Sequence, residues 1–202
     1  FPKLSRQALY LSSIEGIQDL TLTTNGYLLA KQAQSLADAG LQRITVSLDS
    51  LDGDIFRKMN GVGHGPDRVL DGIDKATKVG LSPIKINAVV QRGMNDHTII
   101  DLARRFKGTA HVLRFIEFMD VGNRNGWSTT QVVSAKDIVS RIHAEMPLEY
   151  IQPNYEGEVA QRYRYLDGGG EIGVISSVTQ PFCGDCTRVR LSTDGSMYTC
   201  LF

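Results

Sequence analysis

Cys183, Cys186 and Cys200 are the whole thiol inventory of this chain, and all three fall in one stretch, PFCGDCTRVRLSTDGSMYTC. Their pattern is C-x2-C-x13-C. Three thiolates gathered this closely hold zinc or an iron–sulfur cluster. Structural zinc takes four protein ligands, and none of the four histidines (His64, His97, His111, His143) lies near the cysteines in the chain. A 4Fe–4S cluster on three thiolates leaves one iron open to a nitrogen or oxygen of a small molecule. Two readings stand: a substrate-binding cluster, or a structural zinc completed by a distant residue. Arg188 and Arg190 alternate inside the same stretch and so share a strand face. Two guanidinium forks on one side suit phosphate or carboxylate, or else surface ion pairs.

Further polar groups stand at the ends of apolar runs. Thr23 and Thr24 close residues 18–24, and Ser47 and Asp49 end the next run, 43–48. Within residues 84–90, two-residue alternation puts Lys85 and Asn87 on one face, opposite Ile84, Ile86 and Ala88. Arg114 interrupts the run 111–119, with Glu117 and Met119 near its exit. A Lys and an Arg inside apolar strands are costly unless paired or bound to something. Pairing of Lys85 with Glu117 or another internal carboxylate is the structural alternative to ligand binding. The hydroxyls, and Asn25–Gly26, also fit plain turn chemistry.

Positioning these groups requires strands that end at a common edge. Leu4, Ala8 and Leu11 have helical spacing, as do Leu29, Ala33, Leu36 and Ala37, with Gly40 as a stop. Val69, Ile73 and Ala76 predict a helix ending near Val79, and Ile99, Leu102, Ala103 and Phe106 predict another, capped by Asn95 or Asp96. Ser134 and Asp137 resemble a capping box opening a helix that Pro147 ends. Strand–helix alternation of this kind predicts an α/β fold with a parallel sheet, whose working residues gather at the carboxyl ends of the strands. After residue 147 the pattern becomes β-rich: 158–166, 172–178, and a hairpin of 188–192 with 197–201 turned by Thr193–Asp194–Gly195–Ser196. The expected division is a β/α body over 1–146 and a C-terminal cluster-carrying segment over 147–202.

The chain has 202 residues, 42% hydrophobic, enough for one packed core. Lys plus Arg equals Asp plus Glu at 22 each, so no net field draws in nucleic acid, and any anion site is local. No apolar run reaches the roughly 20 residues of a membrane span. An odd cysteine count with two thiols in C-x2-C fits a reducing, cytoplasmic setting better than a disulfide framework. The chain begins at Phe1 without a Met and stops just after Cys200, which reads as a fragment of a longer protein.

Taken in order, the segments TLTTNGYLLA, ITVSLDSLD, IKINAVVQRGMND, LRFIEFMDVG and FCGDCTRVRLSTDG…C resemble the GTP 3′,8-cyclase family of radical S-adenosylmethionine (SAM) enzymes, which acts first in molybdenum cofactor biosynthesis. The cysteine block with its paired arginines is the most specific part. The resemblance implies an incomplete β/α barrel with a C-terminal β-rich cluster-binding segment, two 4Fe–4S clusters, and SAM and GTP as ligands. It implies that Cys183, Cys186 and Cys200 ligate the second cluster, whose open iron binds guanine. It implies that Thr23, Lys85, Arg114, Arg188 and Arg190 contact GTP, and that Ser47 and Met119 line the SAM side. An electron donor and a homodimer come with the complete enzyme. The family's C-x3-C-x2-C loop is absent from the sequence, so no catalytic residue is assigned, and this chain alone is expected not to cyclise GTP. Missing strands are expected to leave a sheet edge and a core face uncovered. The rivals are a radical SAM enzyme with an auxiliary cluster acting on another substrate, such as a peptide, and a zinc-stabilised α/β module without catalysis.

Overall fold

The computed structural model describes residues 2–121, 126–181 and 188–199. Its frame is a seven-stranded sheet. The strands are β1 (Thr21–Thr24), β2 (Arg43–Ser47), β3 (Ile84–Val90), β4 (Val112–Glu117), β5 (Leu148–Ile151), β6 (Gln161–Tyr165) and β7 (Glu171–Ile175), in the order β1-β2-β3-β4-β7-β6-β5. Strands β1 to β4 and β7 run parallel; β6 and β5 extend that sheet antiparallel. The parallel strands are linked by helices α2 (Leu29–Asp38), α3 (Gly53–Asn60), α4 (Asp67–Lys78), α5 (Ile99–Phe106) and α6 (Ala135–Glu145). This is a mixed α/β fold, an open arc of a β/α barrel.

The alternation read in 84–90 is the reason for the two faces. Ile84, Ile86, Ala88 and Val90 are buried while Lys85, Asn87 and Val89 are partly open. Ile44, Val46, Ile86, Leu113, Phe115 and Val174 continue the buried face under the helices. Each fully buried aliphatic or phenyl side chain there contributes about 1.5–3 kcal/mol. The opposite face carries the polar residues.

Local chemistry fixes several joints. Ser134 Oγ accepts from Asp137 N at 3.1 Å and caps α6 as its sequence indicates. Asp52 Oδ1 accepts from Asp54 N and Ile55 N at 2.8 and 3.0 Å, capping α3, a helix that the hydrophobic periodicity did not reveal. Gly26 has φ +75°, and a Cβ there would sit 2.8 Å from Val69 Cγ1. The Asn25–Gly26 turn therefore also brings β1 against α4. The expected cap of α5 by Asn95 or Asp96 is not formed. A 3-10 turn, Asp96–Thr98, precedes α5, and Asn95 is used elsewhere.

Among the described residues β1 pairs with β2 alone and so forms one sheet edge. The N-terminal helix α1 (Pro2–Ser12) lies beside it and exposes Leu9, Tyr10 and Leu11. Leu4, Leu11, Leu20, Leu22, Leu36 and Leu41 line an apolar cavity of about 620 Å³ there. No helix among the described residues is long and apolar enough to cross a membrane.

Candidate functional site

The strand register sorts the polar face into two rows. One runs Thr23, Thr45, Lys85 across β1, β2 and β3. The next runs Ser47, Asn87, Arg114, Gly173 across β2, β3, β4 and β7. Adjacent strands are about 4.8 Å apart, so these side chains form one continuous patch. Thr23, Ser47, Lys85 and Arg114, chosen from sequence, are therefore brought together. Thr45 and Arg43 lie on the same face and were missed. The alternation in RITVSLD that singles out Ser47 and Asp49 places Arg43 and Thr45 beside them.

The patch is cationic at its centre. Arg43 is tied to Asp19 in an ion pair. Lys85 and Arg114 form no ion pair among the described residues; Arg114 Nε donates instead to Asn87 Oδ1 at 3.0 Å. Burial, followed by the charges of Arg114 and Arg43, holds the Lys85 amine below the ordinary lysine value, with Glu158 and Asp19 offsetting part of this. Burial likewise lowers Arg114, opposed by Tyr155 and Glu158. Glu158 belongs to the β5–β6 connection, which brings its charge to bear on this face. Two half-buried cations whose charged forms are destabilised by desolvation gain from a nearby anion.

Glu117 does not serve them. Its side chain is buried on the helix-covered face, opposite Lys85 and Arg114. It accepts from Ala135 N at 2.7 Å, from Val178 N and Thr179 N at 2.8 Å each, and from the Thr179 hydroxyl at 2.5 Å. Glu117 is a brace between the start of α6 and the segment after β7. The internal pairing of Lys85 with Glu117 is thereby corrected: the pleat puts them on opposite sides of the sheet.

At the carboxyl edge of β2 to β4 lies a cavity of about 480 Å³. Met119 lines it, with Asp49, Met59, Val89, Gln91 and Met94. Ser47 is not among the lining residues and stands one row deeper on the sheet. Burial raises the Asp49 carboxyl above the usual aspartate value, with the bond from Val89 N at 2.8 Å opposing. Asn95 holds the rim: its Nδ2 donates to Asp49 O at 2.7 Å and to Val89 O at 2.8 Å, and its Oδ1 accepts from Gln91 N at 2.9 Å. Trp127 donates from Nε1 to Phe118 O at 2.9 Å, so it packs within the loop that follows β4.

Cys183, Cys186 and Cys200 lie outside the described residues. The hairpin between them is described: β8 (Arg190–Leu191) pairs antiparallel with β9 (Met197–Tyr198), joining Arg190 to Tyr198. In the sequence Cys183 and Cys186 precede this hairpin and Cys200 follows it. Arg188 is exposed, whereas Arg190 has a buried Nη1 with no hydrogen-bond partner among the described residues. A buried guanidinium nitrogen left without an acceptor among the described residues can take an anionic acceptor.

The Radical SAM superfamily model matches residues 1–106, and the model described as Molybdenum Cofactor Synthesis C matches residues 111–202. The chain belongs to the radical SAM superfamily. Curated relatives bearing the name GTP 3′,8-cyclase are similar along nearly all of it. The protein from Xanthomonas axonopodis pv. citri is 55% identical over 192 residues, covering 95% of this chain and 58% of its own. That from Acidothermus cellulolyticus is 51% identical over 199 residues, covering 98% and 55%, and that from Staphylococcus carnosus 49% over 204 residues, covering 98% and 60%. The chain thus spans between half and two-thirds of the length of these relatives. Among solved structures, a radical SAM methyltransferase from Sphaerobacter thermophilus aligns with 61% of this chain and 36% of its own at TM-score 0.46 and 19% identity.

Proposed function

We propose that this chain contributes the GTP side of a radical SAM GTP 3′,8-cyclase, which converts GTP to (8S)-3′,8-cyclo-7,8-dihydroguanosine 5′-triphosphate for molybdenum cofactor biosynthesis. The observation that supports it most is the pair Lys85 and Arg114. Both are half-buried on the inner sheet face and have no ion-pair partner among the described residues. A site that keeps such cations is built for a polyanion, and a nucleoside triphosphate supplies the charge.

In this reading Lys85, Arg188 and Arg190 meet the triphosphate, Thr23 offers a hydroxyl from the next strands, and Arg114 holds the nucleotide from the barrel interior. The three cysteines fit a 4Fe–4S cluster as a donor set of three thiolates, and Arg190 Nη1, in the hairpin they bracket in sequence, has no hydrogen-bond partner among the described residues. When bound, the cluster supplies an open iron position for a base nitrogen or oxygen. The residues then orient the nucleotide: base toward the cysteine block, phosphates toward the cations. Ser47 and the cavity lined by Met119 receive S-adenosylmethionine at the strand ends, the usual place for ligands in parallel sheets. The complete enzyme adds a second 4Fe–4S cluster and an electron donor, and is read as a homodimer. Residues 147–202 act as the cluster-carrying segment although β5, β6 and β7 share the sheet of the body.

Calorimetric titration of the anaerobically reconstituted intact protein tests this. GTP is expected to bind at least about tenfold tighter than ATP, the worth of one good polar contact. Cys186→Ser keeps the cations and is expected to lose both iron and that preference. Tightly bound zinc without iron, or equal affinity for the two nucleotides in the reconstituted protein, overturns the reading.

The depressed Lys85 amine sets a pH dependence. An anion favours the charged form, so binding takes up a proton once solution pH passes the lowered value. Nucleotide phosphates are already ionised there, since their last pKa is about 6. GTP affinity is therefore expected to begin falling with rising pH below the ordinary lysine value of 10.5. Stability of the free protein moves the other way across the same window, because the unfolded chain binds the extra proton. Lys85→Arg remains charged and is expected to flatten the affinity profile; an unchanged profile excludes Lys85 as the titrating group.

A further inference from the structure

Gly173 is an odd residue for its place. It sits mid-strand in β7, between Ile172 and Val174, both buried. Glycine weakens a strand interior through backbone entropy, and it is not kept here for a left-handed conformation, since its φ lies outside that region. What it provides is space. A Cβ at position 173 would stand 3.0 Å from Arg114 Cγ, 3.4 Å from Arg114 Cδ and 3.3 Å from Ala160 Cβ. The register sets Gly173 directly opposite Arg114 on β4 and Arg162 on β6. The Arg114 stem therefore runs across the bare backbone of β7, while Asn87 on β3 holds Nε from the other side at 3.0 Å.

We infer that Gly173 is a positioning residue for Arg114: the missing side chain is the groove that lays the guanidinium along the polar face, and Asn87 fixes its rotation. A Cβ at 173 makes the Arg114 stem give by a few tenths of an ångström, which turns the guanidinium from Asn87 and from the ligand. This rests on the GTP reading for the identity of the ligand, but the aim of Arg114 is a property of the free protein.

The test is a double-substitution cycle in the intact reconstituted protein, read by GTP titration and by the Arg Nε–H resonance of Arg114. Gly173→Ala is expected to lower GTP affinity about tenfold, the loss of one charge-assisted bond. In the Arg114→Ala background the same substitution is expected to cost nothing more. Wild-type affinity in Gly173→Ala, or an equal loss in both backgrounds, overturns the inference. If the unsubstituted protein does not bind GTP, the functional reading fails and the resonance decides: it is expected to shift on Gly173→Ala, and an unmoved resonance overturns the positioning role. If Gly173→Ala does not fold, recovery of folding by adding Arg114→Ala supports the clash, and failure of both variants overturns it.

Discussion

Glu117→Ala is expected to lose about 3–5 kcal/mol of unfolding stability, the cost of leaving several buried or part-buried donors without their acceptor. The carboxylate accepts three backbone N–H groups and one hydroxyl, all from Ala135, Val178 and Thr179. Alanine takes the acceptor from all four donors; the Ala135 N–H is buried, while those of Val178 and Thr179 are part-buried. Each orphaned donor costs about 1–3 kcal/mol. Glu117→Gln separates the hydrogen bonds from the bulk. Its amide nitrogen fits best where Oε1 was, since the Thr179 hydroxyl can reverse and accept, and only Ala135 N–H then loses its acceptor. An intermediate loss, at an unchanged m-value in urea, is expected for Glu117→Gln. Equal losses for the two variants would show that the brace acts through packing and not through its acceptors.

That brace marks how far the chain's text can be read. The inner face was legible because a strand states its faces in a period of two: in IKINAVV, Lys85 and Asn87 alternate with buried Ile84, Ile86 and Ala88. Arg114 was legible for the same reason. Glu117 was visible as a polar residue near a strand exit, but its partners Val178 and Thr179 are 61 and 62 residues away and contribute only backbone N–H and a common hydroxyl. Nothing in residue type encodes that meeting. Asn95 misled in a related way. A cap residue before an apolar helical pattern is a local signal, yet its amide was drawn to the ends of β2 and β3 by unpaired carbonyls there. Helix α3 is eight residues long with Phe56 as its one buried side chain, too short for periodicity; its caps Asp52 and Gly61 were the unread local signals. Gly173 carried a readable hint, a glycine inside an apolar strand, whose cause needed the neighbouring strand.

Replacing Lys85 and Arg114 together by Met is expected to move stability and affinity in opposite directions. In the free protein the two cations are desolvated, repel each other and lack an ion-pair partner among the described residues. Methionine keeps much of the stem volume and removes that cost, so the unfolding free energy of the nucleotide-free protein should rise by about 0.5–2 kcal/mol. Affinity for GTP should fall by about 1.5–3 kcal/mol per lost charged bond, with the two losses coupled because the cations share one anion. Adding GTP then inverts the ranking: the unsubstituted protein gains RT ln(1 + [L]/Kd), about 2.7 kcal/mol at a hundredfold excess over Kd, and the double variant gains almost nothing. Parallel unfolding curves with and without GTP read both terms on one sample. A double variant less stable than the parent without nucleotide would show that the fold already satisfies these charges, and the case for a polyanion on this face would go with it. The crossing of the two curves distinguishes a strained binding face from an ordinary polar surface, because an ordinary surface has no ligand to repay the cost of burying its cations.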